Sequence, residues 1–342
     1  MSLEVWLALA TTLAVSIVSC TALTPLAGRL GRRFGLVDHP RAGELQKRAT
    51  PRSGGYGLLA AFLLAVAVSA VLVGHTPAEL TRVAGLIVGI LLVLPLALLD
   101  DFKRLGPIPQ LAGQLGLALV AMAFGLTIDS VANPFGGLII LPLVVSLPFT
   151  VFWVVAMINT LNFVDTMDGL AAGVTAIAAI VLFVRSVSLG QYSISLLPLA
   201  LAGVCLAFLR YNFNPARIFM GTSGSTFLGF TLAILAIIGG AKIATAAFVL
   251  GLPIIDVALV IVQRSVRRRS PLLGGDNAHL PHKLVQRGLS TRRIALLIYS
   301  ACAGGGALAM TLNGVQKLGV IAVVGAISAV LAIRFAAIRP AG

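Results

Sequence analysis

Leu143 to Ser188 reads LVVSLPFTVFWVVAMINTLNFVDTMDGLAAGVTAIAAIVLFVRSVS. Its two apolar runs, 143–161 and 169–188, are each long enough to cross the hydrocarbon of a bilayer, which takes about 20 residues of helix. Two such runs back to back decide the fold class: membrane helices rather than a water-soluble domain. Between them lies Asn159–Gly169, NTLNFVDTMDG, with two amides and two carboxylates. Asn159, Asn162, Asp165 and Asp168 recur every third residue, so on a continuous helix they drift slowly round one side and converge on one polar site. A plain interhelical loop has no need of two Asp and two Asn with so little positive charge nearby. Chemistry is expected there.

The rest of the chain agrees with that reading. Hydrophobic residues make up 58% of the 342 and charged residues 11%, against about a quarter charged in soluble domains. Hydropathy divides the chain into eleven spans, near 5–27, 55–74, 82–99, 108–126, 143–161, 169–188, 193–209, 226–240, 243–264, 294–312 and 316–333. An all-α polytopic bundle is expected, one integral domain over residues 1–342, with no room for a separate soluble domain. The first run is too long for a signal peptide and lacks a basic leader, so it reads as a retained span. Cys20, Cys205 and Cys302 fall inside apolar runs and read as small packing residues.

The net charge of +14 would suggest nucleic acid in a soluble chain, but the cations sit in loops, without a nucleic-acid module. With the loop after the first span placed inside and the rest alternating, 21 of the 25 Lys and Arg fall on the cytoplasmic side. Only Arg82, Arg185, Lys242 and Lys317 fall opposite. Such asymmetry puts the N-terminus outside and the C-terminus inside.

Asp100, Asp101, Asp165, Asp168 and Asp276 then all lie at cytoplasmic ends or loops. Carboxylates converging opposite many cations suit an anionic substrate with a divalent ion. Adjacent acids such as Asp100 and Asp101 point different ways on a helix, so one can face the site and the other a loop or a metal. Asp256 lies within an apolar run, GLPIIDVALVIVQR, with Arg264 two turns on as a candidate partner; a structural ion pair there is as reasonable as a functional acid. In RYNFNPARIFMGTSGSTFLGF, Gly221, Ser223, Gly224 and Ser225 would let backbone amides approach a phosphate at a helix start. In RRRSPLLGGDNAHLPHKLVQRG, two His without Cys make a poor zinc site, so His279 and His282 suit an anion better.

In this order the motifs resemble those of the polyprenyl-phosphate N-acetylhexosamine-1-phosphate transferases, the membrane superfamily that includes the lipid-carrier transferases of peptidoglycan, teichoic acid and O-antigen assembly. The matching segments are TPRSGG at Thr50–Gly55, Asp100–Asp101, NxxNxxDxxDG at Asn159–Gly169, FMGxxGS at Phe219–Ser225, PxxD at Pro253–Asp256, and RSP with HLxH between Arg269 and His282. Eleven spans look more like the O-antigen and teichoic acid branch than the ten-span peptidoglycan branch.

The resemblance implies transfer of a sugar 1-phosphate from a UDP-sugar to a polyprenyl phosphate such as undecaprenyl phosphate, releasing UMP, at the cytoplasmic face of the cell membrane. It implies Mg²⁺ or Mn²⁺ as cofactor and cell-envelope polysaccharide synthesis as the setting, and it leaves a homodimer open. By the same resemblance Asp100 and Asp101 orient or deprotonate the acceptor phosphate, with Asp168 also in a catalytic place. Asn159, Asn162, Asp165 and Asp168 shape the nucleotide and metal site, and His279 and His282 contact the diphosphate. Lys47 is a further candidate for phosphate or nucleotide contact.

Three positions depart from the family pattern. Thr222 stands where GDxGS carries a magnesium-ligating Asp, Gln110 where a phosphate-contacting Lys is expected, and Pro281 inside HLHH. Lys103, seven residues before Gln110, is a substitute cation. These changes touch phosphate and metal machinery, not the scaffold. Two alternatives follow: a catalytically impaired paralogue that still binds lipid phosphate or nucleotide sugar, and a transporter or flippase. A transporter would place its polar groups near the bilayer midplane, whereas nearly all the acids here lie at one surface.

Overall fold

The computed structural model describes residues 2–40, 48–240, 242–266 and 279–323. Lys47, Asp276, the RSP segment and the end of the eleventh expected span lie outside the described residues.

The chain is helical with two short antiparallel pairs, which the hydropathy pattern does not reveal. In order come α1 (Leu3–Arg33), β1 (Val37–Asp38), β2 (Thr50–Pro51), α2 (Gly54–Leu72), α3 (Pro77–Lys103) and α4 (Pro107–Ala123). The hairpin β3 (Ser130–Ala132) and β4 (Leu138–Ile140) leads to α5 (Leu143–Val164), α6 (Leu170–Ser188) and α7 (Tyr192–Asn212). Then follow α8 (Gly221–Ile237), α9 (Ile243–Val249), α10 (Gly251–Val266), α11 (Leu280–Gln286) and α12 (Thr291–Thr311).

Seven of these, α1, α2, α3, α5, α6, α7 and α12, are long and apolar enough to cross a membrane. An eighth span arises if α9 and α10 count as one, but they meet at a bend of 76°. The expected unbroken span at 243–264 is therefore two helices, with Pro253, which has no N–H to give, in the first turn of the second. α4, α8 and the segment Gly314–Val323 are shorter apolar helices. The protein is thus a multi-pass membrane protein.

α8 is the axis of the bundle. Every residue from Ser223 to Ile237 is buried, as an all-round apolar helix requires, and α2, α3, α5 and α6 pack around it. The outer helices do the reverse: Leu91, Leu119, Phe152 and Leu296 stand exposed. In water that surface would drive aggregation; in lipid it is the required solvent face. α6 and α8 run from the Asp168 and Gly221 end to the Ser186 and Lys242 end, so the molecule has two distinct polar ends.

Candidate active site

The DD motif closes α3, and its two acids part company. Asp100 organises the turn: its backbone oxygen accepts from Arg104 N at 2.7 Å, and its Oδ1 accepts from Leu105 N at 3.0 Å and from the Gln110 side-chain amide at 2.9 Å. This bonding holds Arg104 in a left-handed conformation, φ 48°, uncommon for a residue with a side chain. Gln110 thus makes with Asp100 a neutral contact where a lysine would make an ion pair, and Lys103 stands exposed nearby.

Asp101 faces the other way. Its Oδ2 accepts from the Tyr56 hydroxyl at 2.6 Å, and its backbone oxygen accepts from Arg52 Nη2 at 2.7 Å. Its Oδ1 is buried with no hydrogen-bond partner among the described residues, as is Arg52 Nε. A buried acceptor without a partner costs about 1–3 kcal/mol, so this oxygen is a place where a ligand proton would be stabilised. Neither Tyr56 nor Arg52 stands out in the sequence as a site residue; TPRSGGY carries both, directly around the glycines.

Those glycines join α2 to α8. A methyl group on Gly55 would lie 2.2 Å from Gly224 N, and one on Gly221, at φ 72°, would lie 2.1 Å from Arg52 O. Gly54 N and Gly55 N donate to Phe219 O and Met220 O at 3.0 and 2.9 Å. Ser223 and Ser225 are buried, and Ser225 Oγ donates back to Gly221 O at 3.3 Å. The segment Gly221, Ser223, Gly224 and Ser225, expected to cradle a phosphate, is also a close-packed joint between α2 and α8, and Ser223 Oγ is buried there without a hydrogen-bond partner among the described residues. Thr222 sits half-buried in the first turn of α8.

Asn159–Gly169 is not one helix. α5 stops at Val164, with Asp165 as its C-cap, so the two amides lie on its last two turns and the two acids in the following turn. Asn159 Nδ2 donates to Gln114 Oε1 of α4 at 2.6 Å, while Asn162 Oδ1 is buried and unpartnered among the described residues. Asp168 Oδ2 accepts from Asn214 Nδ2 and Ala216 N, both at 2.9 Å. Gly169 is clamped on both sides, its N donating to Asn212 Oδ1 at 3.1 Å and its carbonyl accepting from Tyr299 at 2.5 Å. Burial, and after it the nearby Asp168 carboxylate, push the Asp165 carboxyl well above the usual range.

Asp256 is a ligand of the HLPH segment. Its Oδ2 lies 2.9 Å from His279 Nδ1 and its Oδ1 accepts from Leu280 N at 2.8 Å, so its partner is His279 rather than the Arg264 suggested by helical spacing. The carboxylate fixes the imidazole and meets the start of α11. His279 Nε2 is buried without a partner among the described residues, and its ring lies 5.2 Å from that of Phe163 on α5. Burial and the adjacent His279 lower the His282 imidazole, with Asp256 opposing. Pro281 lies in the first turn of α11, where its missing N–H is not needed, so this departure leaves the local fold intact.

The motifs thus meet at one end of the bundle. Contacts run from Asp168 through Asn214 and the Phe219 strand of chain to Gly54–Tyr56, on to Asp101 and Asp100, through α4 to Asn159, and along α5 to His279 and Asp256. Such convergence of distant segments is what the resemblance requires. The glycosyl transferase family 4 profile matches residues 83–240. A probable undecaprenyl-phosphate N-acetylglucosaminyl 1-phosphate transferase of Bacillus subtilis (strain 168) is 33% identical over 298 residues, covering 83% of this chain and 79% of that protein.

The chain belongs to glycosyl transferase family 4, among the polyprenyl-phosphate N-acetylhexosamine-1-phosphate transferases.

Two further members are similar over comparable lengths. A decaprenyl-phosphate N-acetylglucosaminephosphotransferase of Mycolicibacterium smegmatis is 35% identical, covering 79% of this chain and 73% of that protein. A phospho-N-acetylmuramoyl-pentapeptide-transferase of Desulforudis audaxviator is 34% identical, covering 84% and 91%. In this family member the DD, NxxNxxDxxDG and HLxH segments all reach the same end, and the glycine segment joins α2 to α8 at that end.

Proposed function

We propose that this protein transfers an N-acetylhexosamine 1-phosphate from a UDP-sugar to a polyprenyl phosphate such as undecaprenyl phosphate. An acceptor phosphate oxygen attacks the β-phosphorus of the donor, the bond between that phosphorus and the bridging oxygen breaks, and UMP leaves with the α-phosphate. The product carries the sugar on a lipid diphosphate and initiates an envelope polysaccharide. One observation carries this reading: Asp101 is fixed by Tyr56 and Arg52 with its second oxygen bare, in a family whose relatives are named for transfer to lipid phosphates.

Asp101 orients the acceptor phosphate and takes its proton when it is protonated; Asp100 positions Asp101 by holding the end of α3. Among the described residues no three His, Cys, Asp or Glu side chains close on one point. Mg²⁺ does not need such a cage, since it is commonly bound by one or two carboxylates together with substrate phosphates and water. Asp165 and Asp168 fit that role, because Asp165, raised first by burial and then by the Asp168 carboxylate, would be relieved by a divalent cation beside both; the ion would supply charge neutralisation for the diphosphate. Thr222 would contribute at most a hydroxyl. His279, whose Nδ1 faces the Asp256 carboxylate, would give Nε2–H to a diphosphate oxygen in its imidazolium form, and Asn162 Oδ1 would accept from a donor group of the substrate.

The charge asymmetry of the loops supports a cytoplasmic active site in the cell membrane, with eleven membrane segments when the short and broken helices are counted. The experiment is purification, addition of Mg²⁺, undecaprenyl phosphate and a panel of UDP-sugars, and measurement of UMP. Release with at least one donor is expected; binding of lipid phosphate without release from any donor would favour the impaired paralogue.

A further inference from the structure

Asp168 is held from outside its own turn. Its Oδ2 accepts from the Asn214 side-chain amide and from Ala216 N, both at 2.9 Å, and the carbonyl of the same Asn214 accepts from Arg292 Nε of α12 at 2.8 Å. Both bonds to the carboxylate fall on one oxygen, so Oδ1 is left without a protein partner among the described residues, and the Asn214 loop sets its direction. Two turns further along α12, the Tyr299 hydroxyl donates to Gly169 O at 2.5 Å, and its ring lies so close to α6 that a methyl group on Gly173 would fall 2.0 Å from it. Residues seven apart share a helix face. One side of α12 therefore grips both the loop that holds Asp168 and the residue that follows Asp168 in the chain.

The helix itself gains nothing from Arg292. The residue lies in the first turn of α12, where the free N–H groups disfavour a cation, and Ser290 already caps that turn through Arg293 N at 3.4 Å. The positive bias of cytoplasmic loops accounts for a cation at this end but not for its bond to a single carbonyl. Arg292 is exposed, so burial does not account for that bond either. What the bond does is tie α12 to the chain between α7 and α8, at the residue that reaches the carboxylate with its side chain. Asn212 bridges the same loop independently, accepting from Gly169 N at 3.1 Å and donating to Ile218 O at 3.1 Å. Without Arg292 the loop would loosen and not collapse.

We propose that Arg292 is a positioning residue for the donor half of the site: it fixes the Asn214 loop and, through that loop, the direction in which Asp168 Oδ1 faces the UDP-sugar. This rests on the reading of Asp168 as a donor-site residue. Arg292 acts at one remove, through a backbone carbonyl, and is given no contact with the reacting atoms.

The test compares the full chain with Arg292→Ala in lipid nanodiscs. Hydrogen exchange comes first because it needs no substrate. The peptide containing Ala216, whose amide donates to Asp168 Oδ2, should exchange at least about tenfold faster in the variant, while peptides from the centre of α8 stay as they are; unchanged exchange at Ala216 overturns the proposal. In the kinetic arm the donor KM should rise about tenfold, the scale of one charge-assisted hydrogen bond, with the acceptor KM unchanged. An equal rise in both KM values, or a fall in kcat with neither KM moved, is what a structural contact without a positioning role would give, and overturns it. Asn214→Ala removes the amide bond to Asp168 and leaves the carbonyl that Arg292 holds. The double variant should therefore have a donor KM close to that of the worse single variant, and additive losses overturn the relay. Absence of UMP release from every donor in the wild type would strike the transferase reading, and exchange at Ala216 would still decide whether Arg292 holds the Asp168 loop.

Discussion

Lys242 and Asp101 are both buried charges, at opposite ends of the bundle, and their surroundings differ. The Lys242 ammonium donates to Ser186 Oγ at 2.7 Å and lies 3.5 Å from Ile238 O, so it closes the C-terminal ends of α6 and α8. Nearby, the Gln191 amide donates to Gly239 O at 2.7 Å, and Glu79 completes a capping box with Thr76 at the start of α3. At the Asp101 end the bonding stops short: Asp101 Oδ1, Asn162 Oδ1 and His279 Nε2 are buried and without partners among the described residues, and the Asp168 carboxylate lies near enough to Asp165 to raise it further beyond the effect of burial. The far end also keeps bare buried atoms, Gln191 Oε1 and His75 Nε2, but they are neutral amide and imidazole atoms beside helix termini, whereas the site end keeps a bare carboxylate oxygen and a pair of neighbouring acids, groups suited to a phosphate proton and a metal.

That contrast can be broken by substitution. Asp101→Asn should lower turnover by about 10²–10⁴-fold if the carboxylate handles a proton, with a thermal midpoint near that of the wild type; near-normal UMP release would remove Asp101 from the chemistry. Asp168→Asn should cost about 10²-fold by weakening charge stabilisation at the diphosphate. Its mark is a raised Mg²⁺ requirement, and a fall in turnover with unchanged Mg²⁺ dependence would reassign Asp168 to holding the Asn214 loop. Thr222→Asp should tighten Mg²⁺ about tenfold, since ligand charge sets affinity for hard cations; a titration of activity against Mg²⁺ that does not move would place Thr222 away from the ion.

The smallest effect belongs to the far end. Burial, aided by Arg185, lowers the Lys242 ammonium from 10.5 to about 8. The unfolded chain therefore keeps this proton to higher pH than the folded one, and stability rises as pH climbs from about 8 to 10.5. Lys242→Met should flatten that rise in thermal unfolding while leaving UMP release within about twofold, as expected for a substitution far from the chemistry. A large loss of activity would mean the two ends are not separate.

Most of the span pattern was legible because apolar runs of this length have few other uses. The break between α9 and α10 was not read, because hydropathy stays high across Leu250–Leu252; Gly251 and Pro253 were the signals in the sequence that mark it. The site motifs were legible as residue types in order, but their pairings were not. Helical spacing pointed Asp256 to Arg264, while the chain brings His279 back from 23 positions away. The threefold spacing of Asn159–Asp168 suggested one helix, yet α5 ends before the acids and the turn aims them separately. The division of labour between Asp100 and Asp101 was left open by sequence, since it depends on Gln110 and Tyr56 on two other helices. Tyr56 gave no signal of its own because a tyrosine after a glycine pair reads as packing.

The measurement that tests the central claim most directly is the fate of phosphorus in a reaction with donor labelled at the β-phosphate. With undecaprenyl phosphate, Mg²⁺ and the accepted UDP-sugar, the label should pass to the lipid fraction while unlabelled UMP appears in equal amount. Label remaining on the nucleotide, or appearing as free sugar phosphate with no lipid product, would contradict a transferase site at this end of the bundle.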